Sequence, residues 1–214
     1  LTGAHADTEY VEEVEIPDTV QAVLTARIDL LDPLEKRVLR SAAVVGKDFW
    51  SGPVARLLEG EVAGGEPAVQ DVLARLEDRG LILARLGSTI EGQRAYAFIH
   101  ILTRDVAYES LPRRERQQAH ADVAEWIEQR AGERRREFAD LLAHHYAQAY
   151  RLSRDDVRRG GPEESRYRTE AFRYALAQEG FKVDVEIAPD LPDVPLAAPA
   201  MKQALANLGG NAIT

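Results

Sequence analysis

The sequence predicts a mainly helical protein with one β-hairpin set among the helices and a short α/β segment at its end. Three observations predict this. Apolar residues recur at helical spacing over most of the chain, capping residues mark several helix ends, and the period changes to two only around residues 81–100 and 181–187. Apolar residues make up 45% of the 214, enough for a packed core.

In order, residues 1–16 ("ADTEYVEEVE") are polar and acidic and read as a linker or a single strand. The first helix lies in "IPDTVQAVLTARIDLL", with Asp18 or Thr19 as cap and Val20, Val23, Leu24, Ile28 and Leu31 on one face. "DPLEKRVLRSAAVVG" carries a full set of signals for the second. Asp32 is the N-cap, Pro33 takes the first helical position, Glu35 completes a capping box and Gly46 is the stop. "WSGPVARLLEG" is a short third helix. "EPAVQDVLARLEDRG" is a fourth, with Val69, Val72, Leu73 and Leu76 inward and Gly80 at its end.

"LILARL" and "RAYAFIH" then read as two strands around the turn-rich "GSTIEGQ". Short helices followed by a hairpin are the order of a winged helix-turn-helix, here 17–111. Helices resume in "ILTRDVAYESL", "RRERQQAHADVAEWIEQRAG" and "EFADLLAHHYAQAYRL". The last two read as an antiparallel pair opening a TPR-like helical-repeat region, 112–152. "SRDDVRRGGPEESR", 153–166, is charged and glycine-rich and reads as a linker and domain boundary. Beyond it, 167–214 holds the helix "YRTEAFRYALAQEG", the alternating strand "FKVDVEI", a proline-punctuated loop and the helix "APAMKQALANLGGNAI". The chain opens on Leu1, its single methionine is Met201, and Thr214 falls inside a helical pattern, so the sequence reads as a piece of a longer chain.

Composition narrows the function classes. There is no cysteine, which removes disulfides, thiolate metal sites and cysteine nucleophiles and points to a cytoplasmic setting. Lys+Arg 27 against Asp+Glu 36 gives a net charge of −9, which opposes nucleic acid as main partner. No apolar run approaches the ~18 residues of a membrane span. Gly46-Lys47 lacks the rest of a P-loop and reads as a helix C-cap. The histidines His5, His100, His120, His144 and His145 show no zinc-protease spacing. His144 and His145 are neighbours on a helix and point about 100° apart. His100 is expected to pack between hairpin and helix, with Arg104 and Asp105 pairing locally. The runs with Arg113, Arg114 and Arg116, and with Arg134, Arg135 and Arg136, read as solvated helix ends. The fourth helix mixes Asp71, Glu77 and Asp78 with Arg75 and Arg79, too acidic for a helix lying in a major groove.

Residues of about 14–152 resemble the region after the nucleotide-binding domain in bacterial STAND-type signalling ATPases, the regulators that often carry an adenylate/guanylate cyclase or LuxR-type domain. "IPDTVQAVLTARIDLLDPLEKRVLRSAAVVGKDFW", "LARLEDRGLI", "YAFIHILTRDVAYESL" and "LLAHHYAQA" carry the resemblance. It implies a winged-helix arm on an ATPase core, followed by the start of a tetratricopeptide-like array.

Residues of about 167–214 resemble the start of the ATP-binding domain of sensor histidine kinases. "VDVEIAPDLPDVPL" matches its early strand and loop, and "MKQALANLGGNAI" its N-box, whose core here is Asn207, Leu208, Gly209, Gly210, Asn211 and Ala212. The resemblance implies that Asn207 and Asn211 belong to a nucleotide site and that Asn211 would coordinate Mg²⁺ beside ATP, an amide oxygen being a suitable hard ligand.

Together the resemblances imply a non-catalytic regulatory fragment of a signal-transduction protein, partnered by the ATPase core of the same parent. The parent would be an ATPase or histidine kinase using ATP and Mg²⁺, with neither bound and no catalytic residue in this piece. The alternatives are a DNA-binding winged-helix transcriptional regulator and a piece of a sensor histidine kinase.

Overall fold

The computed structural model describes residues 18–153 and 162–178. Among these the protein is mainly helical, with one small antiparallel sheet. Helix α1 (Asp18–Asp29) leads into α2 (Pro33–Val45), whose start is set by local chemistry. The Asp32 carboxylate accepts from the Leu34 and Glu35 N–H groups, both at 2.8 Å, and Glu35 accepts from the Asp32 N–H at 3.2 Å. These bonds satisfy donors that a helix start leaves without partners. They also hold the Asp32 carboxyl below its ordinary range, the Glu35 N–H bond being the largest cause. Gly46 ends the helix with its N–H on the Ala42 carbonyl, as a C-cap.

Strand β1 (Asp48–Trp50) follows, then α3 (Ser51–Leu57) and α4 (Gly65–Asp78). The expected inward residues of α4, Val69, Val72, Leu73 and Leu76, are all buried. Strands β2 (Ile82–Arg85) and β3 (Ala95–Phe98) form the expected hairpin, pairing Ile82 with Phe98 and Arg85 with Ala95. The sequence reading had no third strand. β1 pairs with the other edge of β3, Phe49 opposite Tyr96, giving the order β1-β3-β2. Three residues are too few to display a period of two, so β1 shows only through its partner. Phe49 anchors it, stacked on Tyr96 at 5.6 Å and tilted against Phe98 at 5.5 Å.

Helix α5 (Ile101–Glu109) leads to α6 (Arg113–Ala131), a 3-10 segment (Gly132–Phe138), α7 (Ala139–Ser153) and α8 (Pro162–Gln178). α6, α7 and α8 pack in sequence, and α6 also lies on α2 and α3. One hydrophobic cluster therefore runs from Leu39 and Leu76 through Ile127 and Leu142 to Ala171 and Tyr174. Burying each Leu or Ile contributes roughly 1.5–3 kcal/mol.

Three expectations need correction. Val23 was placed inward on α1, but it is 61% exposed, while Ile28 and Leu31 are buried. α1 rests on α5 alone among its larger contacts, so only part of its stripe is covered. His100 was placed between hairpin and helix, but it is exposed at the start of α5. The helix expected from Tyr167 begins at Pro162, inside the stretch read as a linker. Pro162 followed by Glu163 and Glu164 is itself a helix-start pattern, which the preceding Gly-Gly obscured. Tyr167, Ala171, Tyr174 and Ala175 of α8 are buried in the common core, so this helix extends the α6–α7 layer.

Candidate functional site

Two buried polar groupings stand out from the apolar core. The first lies under α4. Glu35 is 1% exposed, yet its carboxylate meets Arg75 Nε at 3.4 Å and Arg79 at 3.2 Å. A buried carboxylate must be paired or neutralised, and here two guanidiniums and the Asp32 N–H do the pairing. Both arginines are about half exposed, so their heads bend inward from the outer face of α4. On the opposite flank of α4, Glu77 accepts the Ala84 N–H at 2.6 Å and ties the helix to β2. Asp71 and Asp78 stay exposed beside the two arginines. The face thus keeps its acids outward while its two cations are turned toward Glu35.

The second grouping joins α5, α6 and α7. The Tyr108 hydroxyl lies 2.9 Å from His120 Nε2, and His120 Nδ1 lies 2.9 Å from His145 Nδ1. His120 is 1% exposed and His145 fully buried. His144 stands at the rim, its ring 5.3 Å from that of His145 and 6.0 Å from that of His120. Arg104 donates from Nε to the Ala43 carbonyl at 2.9 Å, pairs with Asp105 as expected, and lies 4.6 Å over the Tyr108 ring. Arg116 lies 5.0 Å from the same ring.

Two nitrogens 2.9 Å apart share one proton, so only one ring donates between them. His145 Nε2 makes no hydrogen bond of good geometry, but the Val45 carbonyl is close enough to act on it. A carbonyl can only accept. The consistent arrangement therefore runs one way: Tyr108 O–H donates to His120 Nε2, His120 Nδ1–H donates to His145 Nδ1, and His145 Nε2–H faces Val45. Both rings are neutral in it. Burial pushes the His145 imidazole down to about 3, with His144 and Arg104 adding to the shift. Burial, then His145, His144 and Arg104, holds His120 well below its ordinary value too.

Sequence reading weighed these histidines only for metal spacing and missed their meeting. A signal was present. His120 continues the buried stripe of Ala124 and Ile127, and His145 that of Leu142 and Ala149, so both stand where apolar residues are expected. Among the described residues no group of three or more His, Asp or Glu is arranged to hold a metal ion. The chemistry of the pair is proton transfer along the chain or a response to acid.

Elsewhere, Arg113 is turned onto the Leu152 and Arg151 carbonyls at the end of α7, both at 3.0 Å. Arg134, Arg135 and Arg136 are exposed, Arg134 pairing with Glu137. His5, Asn207 and Asn211 lie outside the described residues. Among the described residues no helix is long and apolar enough to cross a membrane. Compared with known proteins, the chain matches no family model, no curated protein and no solved structure.

Proposed function

We propose that this chain is a non-catalytic regulatory and interaction region of a bacterial signal-transduction protein of the STAND-ATPase kind. In this reading α2 to α4 and the sheet form a winged-helix arm, and α6 to α8 open a TPR-like array. The order of helices before the hairpin, and the closing of the sheet by β1, support the arm. The successive packing of α6, α7 and α8 supports the array. Its partner would be the ATPase core of the same parent. ATP and Mg²⁺ belong to the parent protein, with Asn207 and Asn211 as the residues of this chain that resemblance assigns to them.

The observation that carries the protein-interaction reading over DNA binding is the inward turn of Arg75 and Arg79. A helix entering a major groove needs its cations free for phosphate and base edges. On α4 both are held by Glu35, and Asp71 and Asp78 remain outside. The net charge of −9 adds repulsion.

Fluorescence anisotropy with labelled duplex DNA, for the native chain and Glu35→Gln, tests this. The native chain should show no sequence preference. Glu35→Gln, which releases the arginines, should gain weak salt-sensitive affinity. Tight, sequence-selective binding by the native chain would replace this reading with that of a transcriptional regulator.

A further inference from the structure

The buried histidine pair joins α6 to α7, Tyr108 ties it to α5, and among the described residues no group there would balance an added proton. The groups around it can be named by element. α5 supplies Tyr108, Arg104 and Asp105, the last already paired with Arg104. α6 supplies Arg116 beside the Tyr108 ring. α7 supplies His144 and Arg151. α2 offers the backbone carbonyl of Val45. Arg56 of α3 pairs with Glu59 and Arg166 of α8 with Glu125 instead. Among these described groups the charged ones are cationic apart from Asp105, which Arg104 already holds.

An added proton also breaks the one-way chain. With both nitrogens of His145 protonated, His145 Nδ1–H must donate to His120 Nδ1. His120 then carries its proton on Nε2, which points at the Tyr108 oxygen. Tyr108 must turn its own O–H elsewhere, so the three-residue chain reverses direction while holding an unpaired charge in the core. The cheapest relief is solvent, reached by separating α7 from the pair's other walls.

We propose that Tyr108, His120 and His145 form a pH-sensitive latch: neutral, they clamp α7 to α6 and, through His120, to α5, and acid opens this seam while the body of α2, α4 and the sheet stays folded. The separate anchorage of that body supports the division, since Glu35, Arg75 and Arg79 hold it without any histidine. The depressed basicity of both buried imidazoles fits a pair that stays neutral until the seam opens.

Hydrogen exchange read by mass spectrometry on the whole chain tests the latch, with rates corrected for intrinsic pH dependence. Lowering pH from about 7.5 to about 5.5 crosses the ordinary imidazole range. Two rings free to protonate only when open should raise the open population of α7 roughly 100-fold over this step. The amides of α4 and of β2–β3 should change by less than about threefold on the same scale. His145→Gln leaves one such ring and should cut the α7 factor to about tenfold. Histidine side-chain NMR on the native chain provides a readout that needs no variant: the His120 and His145 rings should both stay neutral while α7 remains closed. Equal acceleration of α7 and α4, an α7 rate indifferent to pH, or ordinary titration of His120 and His145 in the closed protein would each overturn the latch.

Discussion

The two buried polar groupings solve one problem in opposite ways. Under α4, a charge is buried and compensated: Glu35 is shielded from water but held by two arginines whose other sides reach solvent. Between α6 and α7, two titratable rings are buried with no counter-charge among the described residues and persist only because they are neutral. A compensated charge ties stability to its partners. An uncompensated neutral pair ties stability to pH. One chain therefore carries one region sensitive to mutation of its cations and another sensitive to acid.

The largest effect should come from stripping the charge partners. Arg75→Ala with Arg79→Ala leaves Glu35 buried and unpaired, at an expected cost of about 3–5 kcal/mol in urea unfolding. Either single change should cost well under half of this, because the remaining arginine still reaches the carboxylate. A double-mutant cycle measures that difference, and strict additivity would show that the two act independently.

Next comes the pH response of the whole protein. His120 and His145 have folded values below their unfolded value, so the unfolded chain binds protons first as pH falls. Their burial leaves stability intact above about pH 6.5 and removes it below, by about 1.4 kcal/mol per pH unit for each ring, until the folded values are approached. Chemical denaturation across that window should show the slope, and His145→Gln should roughly halve it. If the midpoint is flat from neutral to mildly acidic pH, the pair is not buried neutral.

A steric test probes the contact between the two regions. Gly52 opens α3 with its N–H on Gln93 Oε1 at 2.7 Å, and a Cβ there would collide with the Gln93 and Trp126 side chains. Gly52→Ala should cost about 1–3 kcal/mol, read as a lower thermal midpoint. The smallest effect is expected at the outer layer. Tyr174 donates to Glu128, which also accepts from Tyr146 at 2.8 Å. Tyr174→Phe should cost about 1 kcal/mol, because Tyr146 still satisfies that carboxylate.

What the sequence disclosed follows from how local each cause is. The start of α2 was legible because Asp32, Pro33 and Glu35 act within one turn. The buried face of α4 was legible because Val69, Val72, Leu73 and Leu76 repeat at helical spacing. Glu35 was assigned to the cap, but its arginines lie some 40 positions away and nothing local announces them. The histidine chain likewise assembles from three helices. The role of Val23 depended on how much of α1 its neighbours cover, which is a property of packing and not of period. The nucleotide-site residues Asn207 and Asn211 stand on resemblance, outside the described residues.

The third strand has a consequence for the route by which the protein folds. β2 and β3 can meet as soon as their connecting loop closes, whereas β1 must wait for a partner on the far side of α3, α4 and β2. Non-local pairings of this kind slow folding more than they weaken the product, since the entropy of closing a loop grows only by about 0.6 kcal/mol per doubling of its length. Phe49 should therefore join the core late, after α4 and the hairpin have built the surface it fills. A chain emerging from the ribosome would hold β1 unpaired until Phe98 has followed it out.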